Sequence, residues 1–409
     1  MSTIPPPSRP YYPWLMAFLA LFMLMVSNGF TTTSITGYDE ALLKEFGWTR
    51  GQLKFRDLIT LVVAGLAAPF AGVLIDRVGV RKLMLIGSLL LAAAYYSYGN
   101  ITSLTHMYLI HAVFGLVLVC AGLNIAVILV SQWFIKTRGT AIGIALVGSS
   151  LGGTLFTPLI VNLVGQMGWR PTFQWMAMFG LILFVVCFFV ARSPAELGAK
   201  PYGFGEPLSG GARAPSANDV TYPQALRTVS FWALAVVAMT TFYSLLAMAS
   251  HLFLHLRGLG MSPPKAGLGI SLLFTMGMVS KFIFGVLADR FNLRTVFFAN
   301  ITVMLIGLIL LATLNVDLIW FAIVITGFGW GGLYTLLQLQ AVNNFGLTHS
   351  GKILGTITLM DAIAGGLGIW LTGVLFDQNK SYQLAFYVLV GLVSLALIAA
   401  TQIRREIKD

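Results

Sequence analysis

Lys281 and Asp361 are ionisable side chains that lie within long apolar stretches of this chain. A charged group in the apolar interior of a membrane is costly unless it is paired or faces water, so each is a candidate site residue. The ammonium group of Lys281 would attract a small anion. The alternative is a structural ion pair between Lys281 and Asp361, which we expect at similar depth, and both interpretations can hold at once.

Three neutral polar residues occupy comparable positions in their apolar stretches. Tyr334 carries a hydroxyl that could hydrogen-bond an anion, although a tyrosine in a membrane helix often anchors at the lipid–water interface instead. Asn28 and Asn124 either line a cavity or form hydrogen bonds between helices. The pattern therefore predicts that Lys281, Tyr334, Asn28 and Asn124 contact a small ligand near the middle of the membrane.

Other charged or metal-ligating residues have simpler interpretations. Lys54, Arg56 and Asp57 could attract anions, but we favour an interfacial charge cluster whose side chains extend to water. His251 and His255 are one helical turn apart, which is metal-ligand spacing. No third ligand is evident in the sequence, so we expect no metal site there.

These side chains require membrane helices to position them. The chain is 57% apolar and 10% charged, with a mean hydropathy of +0.86, whereas soluble domains are about one-quarter charged. Its length leaves room for roughly twelve apolar stretches of about 20 residues, the length that spans a bilayer. We predict spans near residues 13–33, 53–75, 83–99, 107–132, 139–165, 173–191, 231–254, 266–287, 296–314, 318–343, 353–375 and 384–401.

The two halves of the chain repeat one pattern. Residues 72–81 read Gly-x-x-x-Asp-Arg-x-x-x-Arg, and the same pattern returns at residues 285–294, 213 positions later. A further match, between residues 138–143 and 350–355, has a spacing of 212. Repeated bundles are typical of membrane transporters. The sequence therefore predicts an all-α membrane protein with twelve transmembrane helices in two pseudo-symmetric six-helix bundles.

A polar stretch with several prolines and glycines separates the halves. We predict an N-terminal bundle at residues 1–192, a cytoplasmic linker at 193–228 and a C-terminal bundle at 229–409. A short surface helix around residues 222–228 is compatible with this linker.

The distribution of basic residues predicts the orientation. With the N-terminus inside, 16 of the 25 Lys and Arg residues face the cytoplasm, 8 face outside and Lys281 lies within a span. Basic loops stay on the cytoplasmic side, so we expect both termini there. The polar, proline-rich N-terminus does not resemble a cleavable signal segment, which fits a bacterial inner membrane.

The repeated loop pattern resembles the signature of the major facilitator superfamily. Within that superfamily, other stretches are similar to the monocarboxylate transporters and the oxalate/formate antiporters. These stretches are Trp-Phe-Ile-Lys-Thr-Arg-Gly at 133–139, Gly-Trp-Arg at 168–170, Arg-Ser-Pro-Ala-Glu-Leu-Gly at 192–198 and Trp-Gly-Gly-Leu-Tyr at 330–334. The resemblance covers nearly the whole chain. It implies a secondary carrier that moves small organic anions by alternating access, through proton symport or exchange.

The resemblance also implies that the repeated loops act as a gate. Asp76 and Asp289 would accept hydrogen bonds from helix N-termini or nearby arginines only while the cytoplasmic side is closed. The alternative is that these charges merely hold the loops at the membrane interface. The implied gating residues are Gly72, Asp76, Arg77, Arg81, Arg138, Gly285, Asp289, Arg290 and Arg294.

Three departures from the family pattern affect the expected substrate. Lys281 stands where relatives usually place an arginine for the substrate carboxylate, so one ammonium replaces a bidentate fork. The family's proton-linked aspartate four residues earlier is Gly277 here, and we therefore assign proton coupling to Asp361, with a static ion pair as the alternative. The oxalate carriers place a second base in helix eleven, and none occurs within residues 353–375. One cation beside one carboxylate suits a monoanion better than a dianion.

We therefore predict a proton-coupled symporter of small, lactate-like monocarboxylates. The alternatives are an anion exchanger, such as an oxalate/formate or dicarboxylate antiporter, and a non-transporting membrane sensor. The expected partners are a small organic monoanion, a proton and the lipid bilayer, and we expect the monomer to be functional. We expect no enzyme activity, no cofactor and no nucleic-acid partner.

Overall fold

A computed structural model describes residues 11–204, 219–346 and 348–407 of the chain. The predicted linker at 193–228 therefore lies partly outside the described residues, at 205–218. Contacts divide the chain into two compact units. The first unit holds Met1–Ala41 and Val63–Gly211, and the second unit holds Leu42–Val62 and Ala212–Asp409.

Helical segments of membrane length, two of them divided into shorter helices, make up the described chain before the linker. An apolar solvent offers backbone groups no hydrogen bonds, so a crossing segment satisfies them within its own helix. The helices are α1 (Tyr12–Asn28), α2 (Asp39–Phe46), α3 (Arg50–Val78), α4 (Val80–Tyr98), α5 (Leu104–Ala121), α6 (Leu123–Trp133), α7 (Arg138–Met167) and α8 (Trp169–Val190).

The chain after the linker repeats this arrangement, preceded by one short helix. That short helix is α9 (Tyr222–Ala225), at the place where a surface helix was compatible with the sequence. The others are α10 (Val229–Gly258), α11 (Pro263–Arg290), α12 (Leu293–Ala312), α13 (Ile319–Gly331), α14 (Leu333–Phe345), α15 (Ser350–Asn379) and α16 (Gln383–Ala400).

Eleven helical segments in the described part of the chain are long and apolar enough to cross a membrane. Helix α3 has 29 residues, and its stretch from Leu58 to Ile75 is apolar and contains no Asp, Glu, Lys or Arg. With α3, the described residues supply the twelve predicted helices, and the all-α membrane fold is confirmed. Several helices extend beyond the predicted spans, since helical hydrogen bonding continues into polar ends. The first span, for example, continues to Phe46.

Three of the spans are irregular near their middle. Gly122 separates α5 from α6 in an extended conformation, with φ −99° and ψ −158°. Gly332 separates α13 from α14. The first span contains a π-helical turn at Gly29–Thr33 and a 3₁₀ turn at Ser34–Tyr38. Such irregular turns leave backbone N–H and C=O groups without a hydrogen-bond partner in the helix, and they are frequent at functional sites in membrane helices.

Glycines allow close helix packing in both units. A Cβ atom placed on Gly368 of α15 would lie 2.5 Å from the carbonyl oxygen of Tyr243 in α10. In the first unit, a Cβ on Gly152 of α7 would lie 2.6 Å from the Cα of Gly29. Lipid is as apolar as the side chains, so the hydrophobic effect does not drive membrane helices together. Small residues instead let the helix backbones approach closely and pack.

Each described end of the linker is attached at or just after the end of a long helix of its own unit. In the first unit, the N–H of Ile135 donates to the carbonyl of Tyr202 at 2.9 Å. In the second unit, the N–H of Val220 donates to the carbonyl of Phe345 at 3.0 Å. The two attachment points lie at the ends of α6 and α14, which are equivalent in the sequence repeat. The internal repeat therefore extends to the way in which the linker is anchored.

Candidate functional site

Lys281 lies in the second unit, nine residues before the end of α11, or about 14 Å along the helix axis. Its side chain is half-buried, and its Nζ lies 5.8 Å from the centre of the Trp330 ring. A cation over an indole face is attracted by the ring quadrupole. The ammonium group of Lys281 is thus stabilised by an aromatic ring.

Trp330 also fills the space next to Gly277, one helical turn before Lys281. A Cβ atom at Gly277 would lie 2.5 Å from the indole ring, and the ring of Phe274 packs edge-on at 5.3 Å. The side chain of an aspartate at position 277 would therefore overlap the Trp330 ring. This contact gives a physical reason for the glycine at the position where the resemblance implies a carboxylate.

Tyr334 and Asp361 lie near each other in the same unit. Asp361, in α15, is only 6% exposed. Tyr334 is close enough to Asp361 to interact with its charge. The structure thus brings together a hydroxyl and a buried carboxyl group. The ion pair between Lys281 and Asp361 stays a prediction.

Asn28 and Asn124, in the first unit, occupy the irregular points of their helices. Asn28 ends α1 at the π-helical turn, and its carbonyl accepts a hydrogen bond of 2.7 Å from the hydroxyl of Thr32. Asn124 is the second residue of α6 and its side chain is exposed. The hydroxyl of Ser27 donates to the carbonyl of Ala121 at 2.7 Å, which joins the two irregular points. A role of either asparagine in substrate contact stays a prediction.

The last arginines of the two repeated loops make equivalent contacts. Arg81 donates to the carbonyl of Phe188 at 2.6 Å, and Arg294 donates to the carbonyl of Thr401 at 2.8 Å. Phe188 and Thr401 are 213 positions apart, like the two arginines. A cation at the C-terminal end of a helix is favoured by the exposed carbonyls and the helix dipole. Each arginine therefore ties its loop to the last long helix of its own half.

The other predicted gating residues lie at the helix ends next to these loops. Asp76 and Arg77 are exposed at the end of α3, and Asp289 and Arg290 are exposed at the end of α11. Gly72 and Gly285 lie about one turn earlier in each helix. Arg138, the first residue of α7, donates from Nε to the hydroxyl of Ser131 at 2.8 Å. A gating role for these residues stays a prediction.

The repeat, the helices and the two loops agree with one family. The sequence model of the Major Facilitator Superfamily matches residues 14–369 and 257–406. The chain belongs to the major facilitator superfamily.

Relatives within the superfamily include two anion carriers by name. The oxalate:formate antiporter of Oxalobacter formigenes is 24% identical over 95% of this chain and 90% of its own length. Monocarboxylate transporter 13 of Bos taurus is 26% identical over 81% of this chain and 75% of its own. The branch indicated by the sequence is thereby confirmed.

One solved structure supports the fold independently. It is a crystal structure of a bacterial homolog of the human lysosomal transporter Spinster, in an inward-facing and occupied conformation. The match has a TM-score of 0.72 at 16% identity and covers 97% of both chains. The protein is thus a multi-pass integral membrane protein of the major facilitator fold.

In this member of the superfamily, the charges at the start of α3 are buried. Lys54 and Arg56 are 0% exposed and Asp57 is 5% exposed, so the interpretation as side chains that extend to water is wrong. The reason is that Leu42–Val62 packs within the second unit. There the Nζ of Lys54 donates to the carbonyl of Ser250 at 2.6 Å and lies 3.9 Å from the carboxylate of Asp57.

The histidines of α10 are part of the packing in this superfamily member. Nε2 of His251 lies 2.8 Å from the carbonyl oxygen of Ile369, and Nδ1 lies 2.9 Å from the hydroxyl of Tyr382. A carbonyl only accepts, so Nε2 carries a proton. The ring of His255 packs edge-on against Phe386 at 4.9 Å.

Asp377 makes a contact that no sequence pattern indicates. The carboxylate of Asp377 accepts hydrogen bonds from the N–H groups of Arg50 at 2.9 Å and Gly51 at 2.6 Å. Asp377 stands near the end of a predicted span, where a carboxylate is ordinary. The bonded residues are 327 and 326 positions apart, so local sequence gives no signal of the contact.

Proposed function

We propose that this chain is a secondary active transporter that carries small, lactate-like monocarboxylates together with protons by alternating access. The observation that supports it most is the ammonium of Lys281, held mid-span at 5.8 Å from the Trp330 ring. Maintaining a cation at this depth is costly, and an anionic ligand is the simplest functional reason for it. Rocking of the two halves would alternate access to the ligand.

The chemistry of the second unit fits a short carboxylic acid. Lys281 and the hydroxyl of Tyr334 would hold the carboxylate, and the indole of Trp330 would contact a short apolar tail. Asp361 would take up and release the coupled proton, because its carboxyl group is buried near Tyr334. Asn28 and Asn124, in the first unit, are further proposed substrate contacts.

The charge count favours a monoanion over a dianion. Within α15, Lys352 is exposed near the start of the helix, and residues 353–375 contain no base. A dianion beside Lys281 and an ionised Asp361 would leave negative charge uncompensated in an apolar setting. A monoanion accompanied by a proton brings no such excess.

Anion exchange is the second candidate function. It is favoured by the relative named as an oxalate:formate antiporter, which matches 95% of this chain. An exchanger would move a labelled anion against an unlabelled one without any pH gradient. A symporter would accumulate the labelled anion only when a gradient drives it.

Uptake into proteoliposomes distinguishes these functions. Purified protein is reconstituted, and labelled lactate uptake is measured with and without an inward proton gradient, in the presence of unlabelled lactate, formate, oxalate or succinate. We expect saturable, gradient-driven lactate accumulation that lactate and formate inhibit and the two dianions do not. Counterflow of oxalate in the absence of a gradient, with no lactate accumulation, would support the exchanger instead.

A further inference from the structure

The first half of α3 and its second half belong to different units. Contacts place Leu42–Val62 in the second unit and Val63–Gly211 in the first. Helix α3 runs without interruption through this point, from Arg50 to Val78. In a carrier that cycles between states, such a helix is a natural place for contacts that form and break.

The start of α3 is held by the carboxylate of Asp377. The first N–H groups of a helix have no partner within it and carry partial positive charge. Oδ1 of Asp377 accepts from Arg50 at 2.9 Å and Oδ2 accepts from Gly51 at 2.6 Å. Asp377 stands in the last turn of α15, so the end of one helix meets the start of another. The opposite dipole ends add to the attraction between them.

Two side chains of α3 reinforce this contact. The guanidinium carbon of Arg50 lies 3.5 Å from the centre of the Phe376 ring, next to Asp377. One turn further along α3, Lys54 is fully buried and donates from Nζ to the carbonyl of Ser250 in α10 at 2.6 Å. Segment 50–54 therefore bonds both α10 and α15 of the second unit through charge-assisted contacts, which are stronger than neutral hydrogen bonds.

This arrangement departs from the internal repeat. The repeated loops place an aspartate and arginines in both halves, at a spacing of 213. At the spacings of 212 and 213, the positions equivalent to Asp377 hold Gly165 and Val164. The equivalent of α3 is α11, which begins at Pro263 and has no carboxylate opposite it at these positions. An asymmetric contact added to a symmetric scaffold indicates a role beyond packing.

We propose that Asp377 and Lys54 form a latch that holds the first half of α3 against α10 and α15 in one state of the carrier and releases it in the other. The proposal rests on the transport function proposed above. It assigns the control of one conformational step to residues outside both repeated loops. Release would expose side chains on the buried face of α3, among them Leu53, which is fully buried in this structure.

Thiol labelling in detergent tests the latch without any substrate. Cys120 and Cys187, both buried, are replaced by alanine, and Leu53→Cys is introduced as the reporter. The rate of its reaction with a small maleimide is followed by mass spectrometry. Because Asp377→Asn keeps the side-chain shape and removes the charge, we expect it to raise the labelling rate about tenfold. Lys54→Met is expected to act in the same direction.

Two controls separate release of the latch from other effects. Asp317→Asn removes an exposed carboxylate from the loop before α13 and should leave the rate unchanged. A second reporter, Leu308→Cys, is fully buried in α12 and should not become reactive in Asp377→Asn. An unchanged rate at Leu53→Cys in both latch variants would overturn the proposal. An equal rise at both reporters would also overturn it, because that result reports general unfolding.

The labelling result is independent of the proposed substrate. A protein that shows the latch but takes up no monocarboxylate would contradict the proposed function alone. A protein that takes up lactate with unchanged labelling in the latch variants would contradict the latch alone.

Discussion

A lysine at mid-span needs surroundings that stabilise its charge, and Trp330 supplies part of that stabilisation to Lys281. The ammonium lies 5.8 Å from the ring centre, and the same ring closes off Gly277. In this chain, the space that a carboxylate at position 277 would need is taken by an aromatic side chain. In the proposed mechanism, the coupled proton is carried instead by Asp361, which is buried in α15.

The role of Asp361 is tested by Asp361→Asn. The amide has nearly the same shape but takes up no proton, so the variant should lose accumulation of lactate driven by a pH gradient. Exchange of labelled for unlabelled lactate at equal pH should persist, because it needs no net proton movement. Both rates are measured in proteoliposomes, with Asp317→Asn as the matched control. Gradient-driven uptake equal to that of the unmodified protein would remove Asp361 from the coupling mechanism.

The individual site residues could be found from the sequence, and their neighbours could not. Lys281 and Asp361 stand out because charge is rare in apolar stretches, which is a local signal. The contact of Trp330 with Gly277 joins two helices, and no local pattern specifies it. For the same reason, the sequence does not predict that Lys54 and Arg56 are buried. A charged turn at the start of a helix is normally solvated, and here it is buried because Leu42–Val62 packs in the second unit.

At the scale of the helices, glycine determines how closely α10 and α15 approach. A Cβ atom at Gly368 would lie 2.5 Å from the carbonyl of Tyr243. Lipid tails are as apolar as leucine, so these helices gain from close backbone contact rather than from removal of apolar surface from water. Helix α15 also carries Asp361, to which we assign the proposed proton coupling.

Gly368→Val should separate these helices and destabilise the protein. Overpacking of a tight contact typically costs about 1–3 kcal/mol. The expected result is a lower apparent melting temperature of the purified protein, measured by tryptophan fluorescence in detergent. Gly391→Val in α16 is the matched control, since nothing lies within 4 Å of a Cβ atom there. Equal melting temperatures for the two variants would contradict this account of the packing.

The existence of the helices followed from the sequence, but their interruptions did not. Hydropathy locates long apolar segments because the membrane requires them. It does not reveal the extended residue at Gly122 or the π-helical turn at Gly29–Thr33. Glycines occur in many spans of this chain, and only tertiary contacts, such as the bond from Ser27 to Ala121, decide which of them interrupt a helix.

At the scale of the whole molecule, the chain combines a repeated scaffold with unrepeated functional residues. The repeat is exact enough that Arg81 and Arg294 bond carbonyls that are themselves 213 positions apart. By contrast, Lys281, Asp361 and Asp377 are not repeated: Ala68, Gly148 and Val164 stand 213 positions earlier. Duplication explains the fold, and the residues that differ between the halves carry the proposed function.

Substitution of Lys281 tests the central claim most directly. Binding of labelled lactate to the purified protein is measured at equilibrium for Lys281→Gln and for Lys265→Gln, which removes an exposed lysine from the first turn of the same helix. We predict that Lys281→Gln abolishes saturable binding with an unchanged gel-filtration profile, and that Lys265→Gln binds like the unmodified protein. Saturable binding of unchanged affinity in Lys281→Gln would contradict the assignment of this ammonium as the anion-binding group.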